Sequence, residues 1–248
     1  MTQRSKLLDY TFIVLAIVFG AGSVLLLVIG EPIRIVHFNW SEQNILLWDT
    51  FLSLFFFAQH SITVRKFFRQ RVKIIFSPHY DGAIYATTSG IALTIVVLFW
   101  QRSQVSLLNL QGIPRLIVST FSFLGVFLFI LGASMLRPFD PLGLGPIRAH
   151  LREMKYRQGP FIIRGPYRWV RHPLYACILV MFWANPDMTT DQLLFNVMWS
   201  GWIIVATFLE ERDLIREFGD LYKQYQKSVP MLIPWKYPYP IINKEGIK

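Results

Sequence analysis

The chain has 248 residues, of which 53% are hydrophobic and only 16% are charged, and its formal net charge at pH 7 is +10. Soluble domains carry about 25% charged residues, so this composition excludes an ordinary soluble protein and indicates an integral membrane protein. The Lys and Arg residues lie between apolar runs and not on one face, so no nucleic-acid partner is predicted. The single cysteine, Cys177, excludes an intrachain disulfide.

Apolar segments along the chain predict five to six transmembrane helices. Four charge-free runs have about the 20 residues that a membrane span requires, namely 10–30, 82–100, 116–136 and 192–209. A further run, 44–64, is apolar apart from Asp49, Gln59 and His60. The run 173–186 is charge-free but reaches only about 20 Å at 1.5 Å per residue. The turn signal Asn185-Pro186-Asp187 follows it and predicts a C-terminal helical hairpin. The predicted fold class is an all-α integral membrane protein.

The distribution of positive charge predicts the orientation in the membrane. With the N-terminus in the cytoplasm, 22 of the 25 Lys and Arg residues fall on the cytoplasmic side, and only Arg34, Arg102 and Arg115 fall outside it. The positive-inside rule then predicts six segments with both termini cytoplasmic. We expect a multi-pass protein of the bacterial inner membrane, whose surplus charge reflects topology and contact with membrane lipid.

The stretch "RGPYRWVRHPLY", residues 164–175, crowds arginines and aromatic rings against the start of an apolar run. Pro173 is predicted to be the first residue of a helix with His172 at its cap, since proline loses no hydrogen bond there. The free N–H groups and partial positive charge of a helix start suit an anionic ligand group. Arginines beside it suit bidentate binding of a carboxylate or phosphate.

Two adjacent carboxylates, Glu210 and Glu211, follow the last apolar run. Successive helical residues point about 100° apart, so only one of the two is expected to face a common site. Apolar residues then recur at helical spacing, namely Leu214, Phe218, Leu221 and Tyr225. This spacing predicts an amphipathic helix at the membrane surface.

These features together predict a cofactor pocket at the cytoplasmic face. It combines cationic and N–H groups, one carboxylate and the rings of Tyr167, Trp169 and Tyr175, which suits a zwitterionic nucleotide-like cofactor. Arginines and aromatic residues at a cytoplasmic interface are also ordinary membrane anchors. From the residues alone, both interpretations stay open.

The order of motifs carries a family resemblance. The pattern R-H-P-x-Y, followed by E-E-x-x-L-x-x-x-F-G-x-x-Y-x-x-Y-x-x-x-V-P, covers about 75 residues and resembles the isoprenylcysteine carboxyl methyltransferase superfamily. Those enzymes are integral membrane proteins that use S-adenosyl-L-methionine. The stretches "FAQHSITVRKFF", "LFWQ" and "FWANPDMTTDQLLF" are similar to the NnrU-like branch, which contains bacterial methanethiol S-methyltransferases.

The resemblance implies a set of site residues and a division of the chain. Residues 1–136 would form four spans, and 137–248 a methyltransferase-like part that binds the cofactor. The implied ligands of S-adenosyl-L-methionine are Gly159, Pro160, Phe161, Ile162, Tyr167, His172, Pro173, Leu174, Tyr175 and Glu210.

Two positions depart from the family pattern. Cys177 stands where the family often has glycine, and Ala206 stands where isoprenylcysteine enzymes carry an arginine one turn before the glutamate. The second departure disfavours a prenylated cysteine carboxylate and favours a small neutral or thiol substrate.

The implied reaction is S-methylation of a small thiol, methanethiol, to dimethyl sulfide, and it requires no metal. The thiol must lose its proton, because the thiolate is the nucleophile. The candidate catalytic residues are His172, Glu210 and His60. For His60, a polar residue within a span, a functional role and simple bonding to helix neighbours are both open.

Other functions stay open at this stage. The acceptor is alternatively another apolar thiol or a prenylcysteine. A membrane sterol-type reductase shares a similar C-terminal pattern, but it requires extra basic residues for the 2′-phosphate of NADPH and a longer bundle. A non-catalytic NnrU-like protein of nitrogen-oxide metabolism is the third alternative. No oligomeric state is predicted.

Overall fold

The computed structural model describes residues 3–29, 36–135, 140–156 and 161–240, and its regular structure is almost entirely helical. Helices α1 to α10 span Gln3–Leu15, Gly22–Ile29, Glu42–Val64, Lys66–Ile75, Asp81–Phe99, Gly112–Met135, Leu144–Leu151, Pro173–Trp183, Thr190–Phe218 and Asp220–Ser228. A π-helical turn, Ala16–Ala21, joins α1 to α2, and 3₁₀ turns at Pro78–Tyr80 and Gly165–Arg168 come before α5 and α8. Strands β1 (Ser106–Asn109) and β2 (Asp187–Thr189) form a short antiparallel pair.

Five segments in the described ranges are long and apolar enough to cross a membrane. They are Ser5–Leu27, Glu42–Val64, Pro78–Phe99, Gly112–Met135 and Thr190–Phe218. Helix α8 is apolar but has only 11 residues, which is about 16 Å against a hydrocarbon core of about 30 Å. The predicted fold class, an all-α integral membrane protein with five to six transmembrane helices, is confirmed.

The chain divides into two compact units. The first comprises residues 1–104 and 140–158, and the second comprises 105–139 and 159–248. The functional division into four spans, 1–136, and a cofactor-binding part, 137–248, stays a prediction.

In the first unit, α5 packs against the π-helical turn, α2 and α3. The approach is close at Gly90, where an added Cβ atom would lie 2.1 Å from the carbonyl oxygen of Phe19. Small residues that let helix backbones meet are a common basis of helix association in bilayers. A buried cluster extends this packing to α7, and its members are Ala16, Tyr80, Ala83, Ala86, Leu144 and Ile147.

Gly90→Ala is expected to destabilise the first unit, because the new methyl group overlaps the backbone at Phe19, which has no rotamer to change. An extra carbon in a packed core costs about 1–3 kcal/mol, so the thermal midpoint in detergent should fall. Gly201→Ala is the matched control, because Gly201 also lies in a long helix and, beyond the backbone of its own helical turns, no described atom comes within 4 Å of the added carbon. Equal midpoints for the two variants would contradict the close backbone contact.

In the second unit, α8 and the residues that follow it run antiparallel to α6. Near the start of α8, Leu174 comes within 3.1 Å of a Cβ atom built on Gly132. At the other end, Asp187 pairs with Arg115 at the start of α6, with 2.7 Å between Oδ2 and Nη2. There β1, which precedes α6, also pairs with β2, which follows α8. The passage 173–187 therefore extends from one end of the 24-residue helix α6 to the other.

Helices α8 and α9 form the predicted hairpin, and their packing includes an edge-on contact of Phe182 with Phe195 at 5.0 Å between ring centroids. The residues of the predicted amphipathic helix, Leu214 to Tyr225, are divided between the end of α9 and the helix α10. Helix α9 ends at Gly219, which has φ +58°. Glycine adopts this conformation without steric cost, so the chain turns there and α10 packs against α9.

Candidate functional site

The candidate site lies in the second unit, where the start of α8, the end of α9 and the chain after α10 meet. His172 is the N-cap residue of α8 and Pro173 is its first residue, as predicted. The backbone N–H groups of Arg171 and His172 donate to the carbonyl oxygens of Pro230 and Met231 at 2.9 and 3.1 Å. These bonds hold the start of α8 against the segment that follows α10.

A buried ion pair lies beneath this helix start. Arg171 Nε donates to Glu211 Oε1 at 2.6 Å, and the two side chains are only 10% and 7% exposed. Arg171 Nη1 also donates to the carbonyl oxygens of Gln226 and Val229. Gln226 Nε2 donates to Glu211 Oε2 at 2.8 Å. Both charged groups thus have several hydrogen-bond partners, which is the condition under which a buried ion pair is tolerated.

The imidazole of His172 lies between the two glutamates of α9. Its Nε2 is 3.1 Å from Glu211 Oε1, and its Nδ1 is 3.9 Å from Glu210 Oε2. Both glutamates lie beside this ring, but Glu211 is buried and Glu210 is accessible, so the expectation that only one of them faces a ligand stays a prediction. An imidazole has two nitrogen atoms on different edges, so one ring reaches two carboxylates that diverge by about 100° along a helix.

Glu210 lies on the accessible side of His172. Its side chain is 45% exposed, and it accepts a hydrogen bond from the Tyr175 hydroxyl at 2.9 Å. The Tyr175 ring is nearly parallel to that of His172, with 6° between the planes and 5.6 Å between centroids. Burial, and then the charge of Glu210, raise the pKa of the Tyr167 phenol well above its ordinary value, which keeps the phenol neutral. The Glu210 carboxylate and the Tyr175 hydroxyl that donates to it therefore form the accessible side of the site.

The arginines of "RGPYRWVRHPLY" have partners within the protein. Arg164 Nε donates to the carbonyl oxygen of Met135 at 2.7 Å, and Arg168 Nε donates to that of Tyr239 at 2.5 Å. The N–H of Tyr239 returns a bond to the carbonyl oxygen of Arg168 at 2.8 Å. These side chains and the paired Arg171 fasten the segment to the end of α6 and to the C-terminal region. A bidentate arginine clamp on a ligand stays a prediction.

The other predicted cofactor ligands have different surroundings. Phe161 packs edge-on against Tyr222 and Tyr225, with 5.7 and 5.4 Å between ring centroids. Ile162 is exposed and Pro173 is buried. Leu174 packs on α6, as described above. Gly159 and Pro160 lie outside the described residues. The structure thus brings His172, Tyr175 and Glu210 together directly, and the cofactor assignments stay predictions.

Three residues of the buried network, Arg171, Glu211 and Gln226, were not among the predicted ligands. The sequence carries a signal for the first two, because an Arg-His pair and a Glu-Glu pair each stand at a predicted end of an apolar helix. Charged residues at such positions usually pair with one another. Gln226 has no comparable signal, since its bond to Glu211 depends on the reversal at Gly219.

The remaining catalytic candidate, His60, belongs to the first unit. It lies in α3, with its Nε2 2.7 Å from the hydroxyl of Tyr85 on α5 and its ring against Phe56. The Tyr85 hydroxyl thus gives one imidazole nitrogen of His60 a hydrogen-bond partner inside the membrane span. A catalytic role for His60 stays a prediction.

Known proteins resemble this chain over most of its length. It is 35% identical over 192 residues to a methanethiol S-methyltransferase of Pseudomonas deceptionensis, covering 76% of this chain and 72% of the relative. It is 32% identical over 230 residues to methanethiol S-methyltransferase 1 of Bradyrhizobium diazoefficiens, covering 92% and 80%. A weaker similarity, 27% over 192 residues and 70% of each chain, is to Nurim of Sus scrofa. No protein-family model and no solved structure matches the chain.

The fold and the site define a multi-pass helical membrane protein with a His–Glu–Arg network at the open end of a helical hairpin. The identity to the two bacterial relatives, over most of both sequences, narrows this class. The chain belongs to the methanethiol S-methyltransferase family. The predicted resemblance to membrane methyltransferases is confirmed, and the narrower assignment to an NnrU-like branch stays a prediction.

Proposed function

We propose that this chain is a membrane S-methyltransferase that converts methanethiol to dimethyl sulfide with S-adenosyl-L-methionine as methyl donor. Membership of the methanethiol S-methyltransferase family carries the proposal. The network around His172 supports it, because side chains separated by about 40 residues in sequence meet there, with a buried side that holds them and an accessible side for ligands.

The accessible side suits a zwitterionic cofactor that also carries a sulfonium charge. The half-exposed carboxylate of Glu210, held by Tyr175, complements an ammonium or sulfonium group. The first turn of α8 offers backbone N–H groups to a carboxylate, and within the described residues the His172 side chain makes no capping bond to that turn. The residues assigned to the cofactor are Phe161, Ile162, Tyr167, His172, Pro173, Leu174, Tyr175 and Glu210, together with Gly159 and Pro160 outside the described ranges.

His172 is the group assigned to the thiol proton. S-Adenosyl-L-methionine, when bound, supplies an electrophilic methyl group, and the chain must take up the proton that the thiol loses. The ionised carboxylate of Glu211 only accepts hydrogen bonds, so Nε2 carries the hydrogen and Nδ1 of the neutral ring has a free lone pair. A proton taken up at Nδ1 produces an imidazolium between two carboxylates, which stabilise it. A base oriented by a third group is the usual arrangement for activating a nucleophile.

The residue one turn before Glu210 supports a small uncharged acceptor. Ala206 offers no cation to a substrate carboxylate, whereas the isoprenylcysteine enzymes that this chain resembles carry an arginine there. The hydroxyl of its neighbour Thr207 is fully buried and donates to the carbonyl oxygen of Ile203 at 2.7 Å, so it is already engaged within the helix. A small apolar thiol fits this position and dissolves readily in the hydrocarbon core.

The course of the chain supports an even number of membrane crossings. Five segments are long enough to cross the membrane. The passage 173–187 runs along α6 from near one end to the other, and so counts as a sixth crossing. Six crossings leave both termini on one side, and the distribution of Lys and Arg predicts that this side is cytoplasmic. The proposed location is the bacterial inner membrane.

The proposal is tested with the purified chain in lipid nanodiscs, supplied with S-adenosyl-L-methionine and methanethiol. Headspace gas chromatography is expected to detect dimethyl sulfide that depends on both compounds. Reactions that lack either compound, and nanodiscs without protein, are the controls. No dimethyl sulfide above the controls would reject the acceptor. A separate binding measurement with S-adenosyl-L-methionine then decides whether the cofactor assignment fails as well.

A further inference from the structure

A second group of chemistry-bearing side chains lies in the first unit, and it has no part in the proposed methyl transfer. Asp9 on α1, His79 in the 3₁₀ turn before α5 and His150 on α7 each direct one nitrogen or oxygen atom to a common point, and these atoms lie within 4.8 Å of one another. The Asp9 side chain is completely buried. Two imidazoles and a carboxylate are a common set of metal ligands in proteins.

The distances within this trio are close to those between the ligands of one small cation. Asp9 Oδ2 is 2.9 Å from His150 Nδ1, and Asp9 Oδ1 is 3.4 Å from His79 Nε2. Nitrogen and oxygen ligands about 2.0–2.1 Å from a tetrahedral ion are about 3.3 Å apart. The rings of His79 and His150 stack with 4.1 Å between centroids and 21° between planes, so both meet the same carboxylate. Only small side-chain shifts are therefore needed to admit an ion.

The hydrogen bonding of the trio is incomplete without a further partner. His79 Nε2 is buried, and the Asp9 Oδ1 atom that faces it lies 3.4 Å away, so this contact does not amount to a well-formed hydrogen bond. The hydroxyl of Tyr80 donates to Asp9 Oδ1 at 2.6 Å and holds the carboxylate towards the two rings. Such a bond to a ligating carboxylate typically orients it towards the metal. A buried nitrogen without a partner is unfavourable, and a cation at this point supplies that partner.

The charge of the trio also favours a cation. A buried carboxylate requires compensating positive charge, yet the groups around the Asp9 carboxylate are two imidazoles and a phenol, none of them permanently charged. Lys73, in the helix before that turn, is paired with Asp81, 3.3 Å away. A divalent ion compensates the carboxylate and binds both imidazoles at once. The mixed nitrogen and oxygen set selects zinc and its neighbours in the transition series over magnesium or calcium, which prefer oxygen ligands.

We propose that Asp9, His79 and His150 bind one divalent transition-metal ion of the zinc class. The ion joins α1, the turn before α5 and α7, and so fastens elements that are far apart in the sequence. The side chains of His79 and His150 are 20% and 37% exposed, which leaves a path for the ion to enter. The site is independent of the proposed methyltransferase function, whose chemistry uses no metal.

The experiment measures metal binding by the full chain, purified in detergent with a tag that contains no histidine. The protein is treated with a chelator, equilibrated with Zn²⁺ and passed through a desalting column before elemental analysis. Wild-type protein should retain about one Zn²⁺ per chain and melt at a higher temperature than the chelated protein, because an ion that binds only the folded state stabilises it. Co²⁺ in place of Zn²⁺ should give the visible absorption of a four-coordinate nitrogen and oxygen site.

Variants test which residues bind the ion. His79→Ala and His150→Ala should each weaken Zn²⁺ binding by about tenfold or more, whereas His37→Ala, at an exposed position, should bind like the wild type. Melting curves without metal show whether each variant is folded. The proposal is overturned if the folded variants bind Zn²⁺ like the wild type. It is also overturned if wild-type protein retains no Zn²⁺ and shows no Co²⁺ absorption, a result that does not depend on any variant folding.

Discussion

His172→Ala should lower the rate of methyl transfer by about 10²- to 10⁴-fold, which is the usual contribution of a positioned base. The substitution removes the Nδ1 lone pair and the ring beside Tyr175. It leaves the Arg171–Glu211 ion pair intact, so the variant should still fold. Initial rates of dimethyl sulfide formation by the purified variant, together with its melting curve, measure both effects.

The pH dependence separates a lost base from a distorted site. A thiol ionises without help as the pH approaches its own pKa, so the activity of His172→Ala should partly recover at higher pH. If the substitution only distorted the site, the variant would keep the pH profile of the wild type at a lower rate. No recovery at high pH relative to the wild type would therefore contradict proton transfer to His172.

Two further histidine variants complete the comparison. His37→Ala should retain the full rate, because the His37 side chain is exposed and is not one of the two candidate bases. His60→Ala removes the competing base, which is bonded to Tyr85. If His60→Ala lost the activity and His172→Ala kept it, the base would have to be reassigned to His60.

Glu211→Gln should lower the stability of the protein, whereas Glu210→Gln should weaken cofactor binding, although the two residues are adjacent. Glu211→Gln leaves the guanidinium of Arg171 buried without a counter-charge, and breaking a buried pair in this way costs about 3–5 kcal/mol. Glu210 is 45% exposed, so its substitution should change stability by no more than about 0.5 kcal/mol. Glu210→Gln should instead weaken binding of S-adenosyl-L-methionine by about tenfold, or roughly 1.4 kcal/mol, because a charged contact is lost.

Thermal unfolding in detergent and calorimetric titration with S-adenosyl-L-methionine measure the two effects. Asp213→Asn is a suitable control on the same helix, since that carboxylate is 56% exposed and pairs only with its neighbour Arg216 among the described contacts. Replacing both Arg171 and Glu211 by methionine should restore much of the lost stability, because no charge is left unpaired. Equal losses of stability in Glu210→Gln and Glu211→Gln would contradict the buried and accessible sides described for the site.

The helices were largely predictable because their causes are local. A run of about 20 apolar residues must form its backbone hydrogen bonds internally in a bilayer, which makes a helix the only open-chain solution. The start of α8 was predictable for an equally local reason, since proline at position 173 fixes its own φ angle and donates no hydrogen bond. Gly219 shows the limit, because the same apolar spacing suits one helix or two until the backbone turns there.

The sequence by itself determined that this is a helical membrane protein, that α8 begins at Pro173 after His172, and that its motifs are those of membrane methyltransferases. Only the tertiary structure decided how the charges are shared: Arg171 is paired with Glu211, Glu210 is left accessible, and His172 reaches both glutamates. The trio Asp9, His79 and His150 likewise meets only in three dimensions. The physical reason is that helix formation depends on neighbours in the chain, whereas pairing depends on how each helix is rotated and where it ends.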